Sequence, residues 1–237
     1  MEVLRYSAIP STQDMARQLA LGSHRLPFAV LAQTQSRGRG RLGRDWLSPE
    51  GGLWLTVALD VPSAEVIRQA ALAATFAVAH ALLAITDLEI CVKWPNDLLV
   101  GRRKVCGILA ETLVQPAKTT LLLGMGINVN NSVDEKCSLQ ATSLKDELKH
   151  TVSLDDLTAA VIAEVERDIA ILIQRGFTPF RPWMQSHLAL LGETITVEFN
   201  DQRESGRVEG LSSTGALLLA DKDGLVKEVD AGSVYYW

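Results

Sequence analysis

Four apolar, strand-like runs follow one another between Ile90 and Val129, and they constrain most of what this chain can fold into. They are Ile90 to Val92, Leu98 to Val100, Lys104 to Leu113 and Thr119 to Val129, with Gly101-Arg102 as a tight turn between the second and third. Strands joined so directly predict an antiparallel meander. Ahead of it, Ser63 after Pro62 can cap a helix with Glu65 in its first turn, running through the alanine-rich segment to about Ile85. The stretch Ala70 to Ile85 is shorter than a membrane span and contains Thr75 and His80, so it reads as a buried core helix. Behind the meander, Ser153 caps an amphipathic helix in which Leu157, Val161, Val165, Ile169 and Leu172 recur at i+3 and i+4, closed by Gly176 and Pro179.

The flanking segments complete the picture. Ser11-Thr12-Gln13-Asp14 opens a short helix with a hydroxyl N-cap and an acid three positions later, a capping box. Val30 to Ala32 reads as a brief strand, Gln33 to Pro49 as a polar loop, and Leu53 to Leu59 as another strand. From Asn130 to His150 the chain is polar and irregular, which predicts a long loop with at most a short helix. Past Leu191 the pattern changes: Thr194 to Phe199 alternates strictly, and Asn200-Asp201, Ser212 to Gly215 and Asp221 to Gly224 supply turns between short strands. The expected fold is α+β: a mixed, largely antiparallel sheet flanked by helices over residues 1–190, then an SH3-like β-barrel over 191–237. A five-strand unit of roughly 45 residues is marginal alone and should pack on the larger domain.

Composition excludes several classes of function. With 47% apolar and 22% charged residues, the chain of 237 is that of an ordinary soluble globular protein. A net charge of −5 argues against adhesion to nucleic acid along its length, because such binding needs many Lys and Arg contacts to phosphate. The cations are instead concentrated, with four arginines between Arg37 and Arg44 and the consecutive Arg102, Arg103 and Lys104. Cys91, Cys106 and Cys137 are too few and too irregular for a disulfide framework or a zinc motif, so reduced thiols in a cytoplasm are expected. The N-terminus lacks the apolar run of a signal peptide, and no membrane segment is predicted. His24, His80, His150 and His187 are scattered, with no two at helical ligand spacing.

Three segments carry chemistry. In Gln35-Ser36-Arg37-Gly38-Arg39-Gly40-Arg41-Leu42-Gly43-Arg44-Asp45-Trp46, glycines let the backbone approach a ligand while arginine forks can pair with carboxylate or phosphate oxygens. Between Gln33 and Asp45 only Leu42 is strongly apolar, so this segment should be mobile until an anion arrives. A solvated basic loop is the bland alternative. In the second segment, Lys93-Trp94-Pro95-Asn96-Asp97, proline ends the strand, and Asn96 and Asp97 read either as turn formers or as ligands to a nucleotide or its Mg²⁺. In the strand that follows, alternation puts Lys104, Cys106, Ile108 and Ala110 on one face and Val105, Gly107, Leu109 and Glu111 on the other, with Gly107 either admitting a flat ligand or marking a bulge. The third segment, Gly124-Met125-Gly126-Ile127-Asn128, either sets Asn128 against a polar ligand or makes a bulge.

Together and in this order, these segments resemble the biotin protein ligase family. The resemblance runs from Ser11 to the end and includes Ser11-Thr12, Gly38 to Trp46, Lys93 to Asp97, Lys104 with Gly107-Ile108-Leu109 and Glu111, Gly126-Ile127-Asn128, Ala141-Thr142-Ser143-Leu144 and Gly215 to Leu219. It implies a catalytic domain like those of class II aminoacyl-tRNA synthetases, and an enzyme that joins biotin to ATP as biotinyl-5′-AMP, then to a lysine of a biotin carboxyl carrier protein. By the same resemblance Ser11, Thr12, Gln13, Gln35, Arg39, Gly40, Arg41, Lys104 and Gly107 face biotin. Arg41, Arg44, Trp46, Asn96, Asp97, Lys104 and Asn128 face ATP, Lys104, Arg39 and Arg41 are catalytic, and Mg²⁺ comes with ATP near Asp97. Two features depart from the family pattern: only ten residues precede Ser11, so no DNA-binding repressor function is expected, and Gln13 stands where the family often has Asn. A monomer and a homodimer are both open. Lipoate or octanoate attachment is the nearest rival chemistry, and a nucleic-acid-binding arginine loop is the rival of another class.

Overall fold

The computed structural model describes residues 1–62, 64–116, 118–134, 140–199 and 202–235. The expected cap at Ser63, Cys137 and the Asn200-Asp201 turn lie outside them. The chain opens with β1 (Glu2–Ile9), α1 (Thr12–Leu21), β2 (Phe28–Gln35) and β3 (Leu53–Asp60), followed by the long helix α2 (Ala64–Leu83). The meander is β4 (Ile90–Lys93), β5 (Asp97–Val100), β6 (Arg103–Gln115) and β7 (Lys118–Ile127). Helices α3 (Leu144–Leu148), α4 (Leu154–Arg175) and α5 (Arg181–Ser186) lead to the short strands β8 (Thr194–Phe199), β9 (Gln202–Leu211), β10 (Leu217–Ala220), β11 (Val226–Val229) and β12 (Ser233–Tyr235).

The first seven strands form one sheet in the order β1-β2-β3-β7-β6-β5-β4. Only β1 and β2 run parallel, joined by the crossover α1, and every other pairing is antiparallel, so the sheet is mixed as expected. Strand β1 escaped the sequence reading because it is an edge: Glu2, Arg5 and Ser7 are not buried, and no apolar run marks it. Strand β2 is longer than Val30 to Ala32: pairing with β3 ends at Ala32, but pairing with β1 continues to Gln35 and satisfies the backbone where its side chains turn polar.

Alternation along the central strands divides the sheet into two faces. Leu53, Leu55 and Val57 of β3 and Leu121, Leu123, Met125 and Ile127 of β7 point into the main core with α2 and α4. The opposite face carries Phe28, Val30, Ala32, Ala58 and Leu122, which pack with Ala16 and Ala20 of α1 in a smaller cluster. Helix α1 is too short to cover that face. Beside its first turn the uncovered strip is built from the buried Thr56 and from Gly107, Gly124 and Gly126, and there the cavity forms. Ser11 caps α1 as predicted, its Oγ accepting from Asp14 N at 3.4 Å. The Asp14 carboxylate, however, goes to Arg39.

One expected face assignment is overturned. Opposite β6, Leu98 pairs with Cys106 and Leu99 with Lys104, so Val105 is an extra residue with no partner on β5. The bulge lets Val105 and Cys106 both enter the main core and swings Lys104 to the side of Gly107, where a Cβ on Gly107 would lie 3.0 Å from Lys104 Nζ. Strict alternation from Cys106 would have buried this ammonium.

The last five strands form an antiparallel sheet in the order β11-β10-β9-β8-β12, and among the described residues its pairings do not close. Its inner residues Ile195, Val197, Val208, Leu217 and Leu219 belong to the same apolar cluster as the helices of the larger sheet. The buried Trp94 Nε1 donates to Gly215 O at 3.0 Å, stitching the end of β4 to the β9–β10 turn. No helix is long and apolar enough to cross a membrane. Replacing Trp94 by Phe retains an aromatic ring and leaves the Gly215 carbonyl unpaired, which should cost about 1–3 kcal/mol. At roughly 2–4 °C per kcal/mol, thermal unfolding should read this as a clearly lowered midpoint. An unchanged midpoint would mean that this bond does not couple the two sheets.

Candidate functional site

A cavity of about 390 Å³ opens on the α1 side of the sheet, where the helix, the Gly-Arg loop, the β4–β5 turn and the C-terminal strands meet. Its polar end is built by α1 and its neighbours. Thr12 N and Oγ1 donate to Gln35 Oε1 at 2.7 and 3.1 Å, and Gln35 Nε2 donates to Ser48 Oγ at 2.7 Å. Thr56 Oγ1 lies 2.9 Å from Thr12 Oγ1 and 3.1 Å from Gln13 Oε1. Ser11, Thr12, Gln13 and Thr56 are all buried, so this network is fixed. The Gln13 amide donates to Glu111 Oε2 and Leu122 O, both at 3.2 Å, and is therefore committed to the protein.

The cavity floor is a pair of glycines facing each other across β6 and β7, Gly107 and Gly126. A Cβ on Gly126 would stand 2.5 Å from the Trp46 indole and one on Gly107 2.9 Å from it, so only bare backbone lets the ring lie there. Lys104 Nζ stands 4.9 Å from the ring centroid. The indole Nε1 is buried without a hydrogen-bond partner.

Around this floor the charge is strongly positive. Lys93, Lys104, Arg41 and Arg44 line the cavity, with Asp97 among them and its Oδ1 2.7 Å from Lys104 Nζ. Burial pushes the Arg41 guanidinium below its ordinary pKa, Asp97 partly restores it, and Arg44 lowers it again. Lys93 is likewise lowered, first by burial and then by Lys104 and Arg44, against the pull of Asp97. Arg44 thus raises the cost of keeping Arg41 and Lys93 charged, as Lys104 does for Lys93, and an anion entering the cavity would relieve both.

The loop itself is held more firmly than its composition suggested. Trp46 N donates to Gly38 O at 2.9 Å and Gly40 N to Arg44 O at 2.7 Å, closing it on itself. Gly38 is required, since a Cβ there would meet Trp46 O at 2.3 Å. Arg39 pairs with Glu111 and Asp14, both at 2.9 Å. Arg41 donates to Asn96 Oδ1 at 2.7 Å and to Gly232 O at 3.1 Å. Most of these partners, Glu111, Asn96 and Gly232, come from elements far away in sequence, which the composition of the segment does not show.

The structure therefore gathers Ser11, Thr12, Gln13, Gln35, Arg39, Gly40, Arg41, Arg44, Trp46, Asn96, Asp97, Lys104 and Gly107 on one cavity. Asn128 does not line it. Its amide Oδ1 accepts from Asn131 at 3.1 Å, and its backbone bridges Val105 and Leu144, which ties the end of β7 to the bulge. Asn96 turns out to do structural and site work together, donating to Ile108 O at 2.8 Å while holding Arg41. Sequence reasoning missed Thr56, Lys93, Ser233 and Val234 as lining residues. Thr56 was legible as the one hydroxyl in an apolar strand and Lys93 as a neighbour of Trp94, but nothing in Ser233 or Val234 signals a site.

Comparison with known proteins gives these features a context. The Biotin/lipoate A/B protein ligase family model matches residues 6–130, and the Biotin protein ligase C terminal domain model matches residues 190–237. The biotin–[acetyl-CoA-carboxylase] ligase of Paracoccus denitrificans is 31% identical over 95% of this chain and 97% of its own. The bifunctional ligase/repressor BirA of Bacillus subtilis is 28% identical over 95% of this chain and 71% of its own. Among solved structures, a biotin protein ligase from Aquifex aeolicus in complex with biotin and ATP superposes with a TM-score of 0.89 at 29% identity, covering 99% of this chain and 97% of that one. With one family model spanning the sheet that carries the cavity and the other spanning the strands that close its rim, the chain belongs to the biotin/lipoate A/B protein ligase family.

Proposed function

We propose that this chain is an ATP-dependent biotin–[acetyl-CoA-carboxylase] ligase: it converts biotin and ATP to biotinyl-5′-AMP and pyrophosphate, then transfers biotin to a lysine of a carrier protein. The observation that carries the reading is the cavity wall of Lys104, Arg41, Lys93 and Arg44 over a glycine floor, in a chain whose relatives are biotin ligases. A carboxylate is a poor acylating agent and must first be activated. Its oxygen attacks the α-phosphorus of ATP, the bond to the β-phosphate oxygen breaks, and pyrophosphate leaves with the electron pair. Both reactants are anions, and two like unit charges a few ångströms apart repel by about 4 kcal/mol at an effective dielectric near 20. The four cations offset that repulsion and stabilise the charge that builds on the phosphoryl oxygens.

In this reading the Thr12, Gln35 and Thr56 network receives the ureido ring of biotin, with Ser11 beside it, and Lys104 meets the reacting carboxylate and phosphate. Trp46 on its glycine floor, with Asn96, Asp97 and Arg44, faces the adenylate. Asn128, expected beside them, supports the site from beneath, and Arg39 acts through the loop and not on the substrate. Mg²⁺ enters with ATP. Asp97, one of two carboxylates lining the cavity with Asp45, is the one paired with Lys104, and no cluster of three His, Cys, Asp or Glu forms among the described residues, so phosphate oxygens and water would supply most of its ligands. In the second half-reaction the carrier amine attacks the acyl carbon, an amide forms and AMP leaves. The C-terminal strands are read as the SH3-like barrel of the family, set so that Gly232 to Val234 form the rim. Lipoate remains the competing acid within the family, and the biotin ligases of Paracoccus and Aquifex, alike over nearly the whole chain, favour biotin.

Mass spectrometry of a carrier domain after incubation with the chain, MgATP and either biotin or lipoate tests substrate and reaction together. A biotinyl adduct is expected, and a lipoyl adduct or none would end the proposal. Lys104→Ala should lower pyrophosphate release by roughly 10²–10³-fold with an unchanged unfolding midpoint, the size seen when one preorganised donor to a developing anion is lost. Activity within a few-fold of the unaltered chain would remove Lys104 from the mechanism. Gly126→Ala puts a methyl group where the indole lies, so calorimetry should find ATP binding weakened about tenfold with biotin binding little changed. Equal loss of both would show that the floor serves biotin as well.

A further inference from the structure

The Gly-Arg loop leans on two carboxylates outside the cavity, Asp14 and Glu111, and Glu111 holds it in the more directional way. Arg39 presents its fork to Glu111 of β6, Nη1 to Oε1 at 2.9 Å and Nη2 to Oε2 at 3.1 Å, the bidentate geometry that fixes orientation as well as distance. Glu111 is itself anchored: Arg17 Nη2 donates to Oε2 at 3.1 Å, Gln13 Nε2 does so at 3.2 Å, and its backbone sits in register with Leu122 of β7. Neither Glu111 nor Asp14, the second partner of Arg39, lines the cavity. Burial pushes the Glu111 carboxyl up, but hydrogen bonds from Arg39 and Arg17, the charge of Arg39 and the bond from Gln13 outweigh this and hold it below its ordinary value. It is an anion at neutral pH, carried on a strand whose backbone there is paired with β7.

We infer that Glu111 is a positioning residue for the reaction: acting through Arg39, it pins the Gly-Arg loop over the cavity and so sets how long the adenylate is retained before the carrier arrives. The inference rests on the ligase reading. It also explains Gln13. An amide at that position reaches Glu111, Leu122 O and Thr56 at once, joining the clasp on the loop to the polar end of the cavity. The clasp releases Arg39 from any need for a substrate anion and leaves Arg41 and Lys104 to meet it.

The test uses Glu111→Gln, which keeps the side-chain shape and removes the charge, in the full chain. Both arginines that lose their partner are partly solvent-exposed, so water can take over and the fold should survive. Without ligands, trypsin should cut after Arg39, Arg41 or Arg44 about tenfold faster than in the unaltered chain, while the thermal midpoint and cleavage elsewhere are unchanged. With biotin and MgATP, the preformed adenylate should escape about tenfold faster, followed by its release into solution. Arg39→Gln, which removes the Asp14 pair together with the Glu111 contact, should speed cleavage after Arg41 or Arg44 and adenylate escape at least as much, and the double variant should be no worse than Arg39→Gln alone, since the Glu111 contact is already gone there. Cleavage and escape at unaltered rates, or effects that add in the double variant, would overturn the inference. If the unaltered chain forms no biotinyl-adenylate, the ligase reading fails instead, and the trypsin arm still reports on the clasp.

Discussion

A strand can give only every second side chain to a given face, and the architecture of this protein follows from how β3, β6 and β7 divide theirs. One set, large and aliphatic, is sealed by α2 and α4 and supplies the stability. The other set begins in the same aliphatic manner under α1, at Ala58 and Leu122, and then changes within one or two positions to Thr56, Gly124, Gly126 and Gly107. The first turn of α1 ends where that change occurs. The site is therefore not an insertion into the fold but the stretch of one sheet face where side chains have been withdrawn, with a rigid core directly behind it.

Into this recess the protein brings cations that would repel one another if left unanswered, and it deals with them in two ways. Arg39, on the cavity edge, is paired with Glu111 and Asp14, neither of which lines the cavity. Arg41, Arg44, Lys93 and Lys104 are kept on the cavity wall with Asp45 and Asp97, which leaves a local excess of positive charge facing the space where two anions must meet. A chain of net charge −5 can thus contain a strongly electropositive reaction chamber. The overall balance speaks against a nucleic-acid surface and says nothing against a focused anion site.

Most of the fold was legible because its elements obey local rules. The meander, the capped helices α1 and α4, and the strict alternation in β8 are written in hydrophobic period and in punctuation by Gly, Ser and Pro. What could not be read is non-local. Strand β1 exists because β2 needs a neighbour, and the bulge at Val105 exists because Val105 and Cys106 can both be buried against the same core. That one inserted residue decides on which side of the sheet Lys104 emerges, and strict period-two counting gives the wrong side. The site motifs were recognisable as strings, but the roles within them separated only when partners were known: Asn128 turned inward to the end of β7, and Arg39 turned to a carboxylate 72 positions away.

The hydrogen bond from Arg41 to the carbonyl of Gly232 joins the two ends of the molecule at its chemical centre. The peptide between β11 and β12 is part of the chamber wall, although its own sheet lies apart from the one that carries the floor. Wear in that remote unit, whether through heat, truncation or drift of its sequence, would be felt first as a poorly aimed guanidinium, so the enzyme would slow before it came apart. Natural selection acting on turnover thereby also governs a stretch of chain outside the sheet that carries the floor.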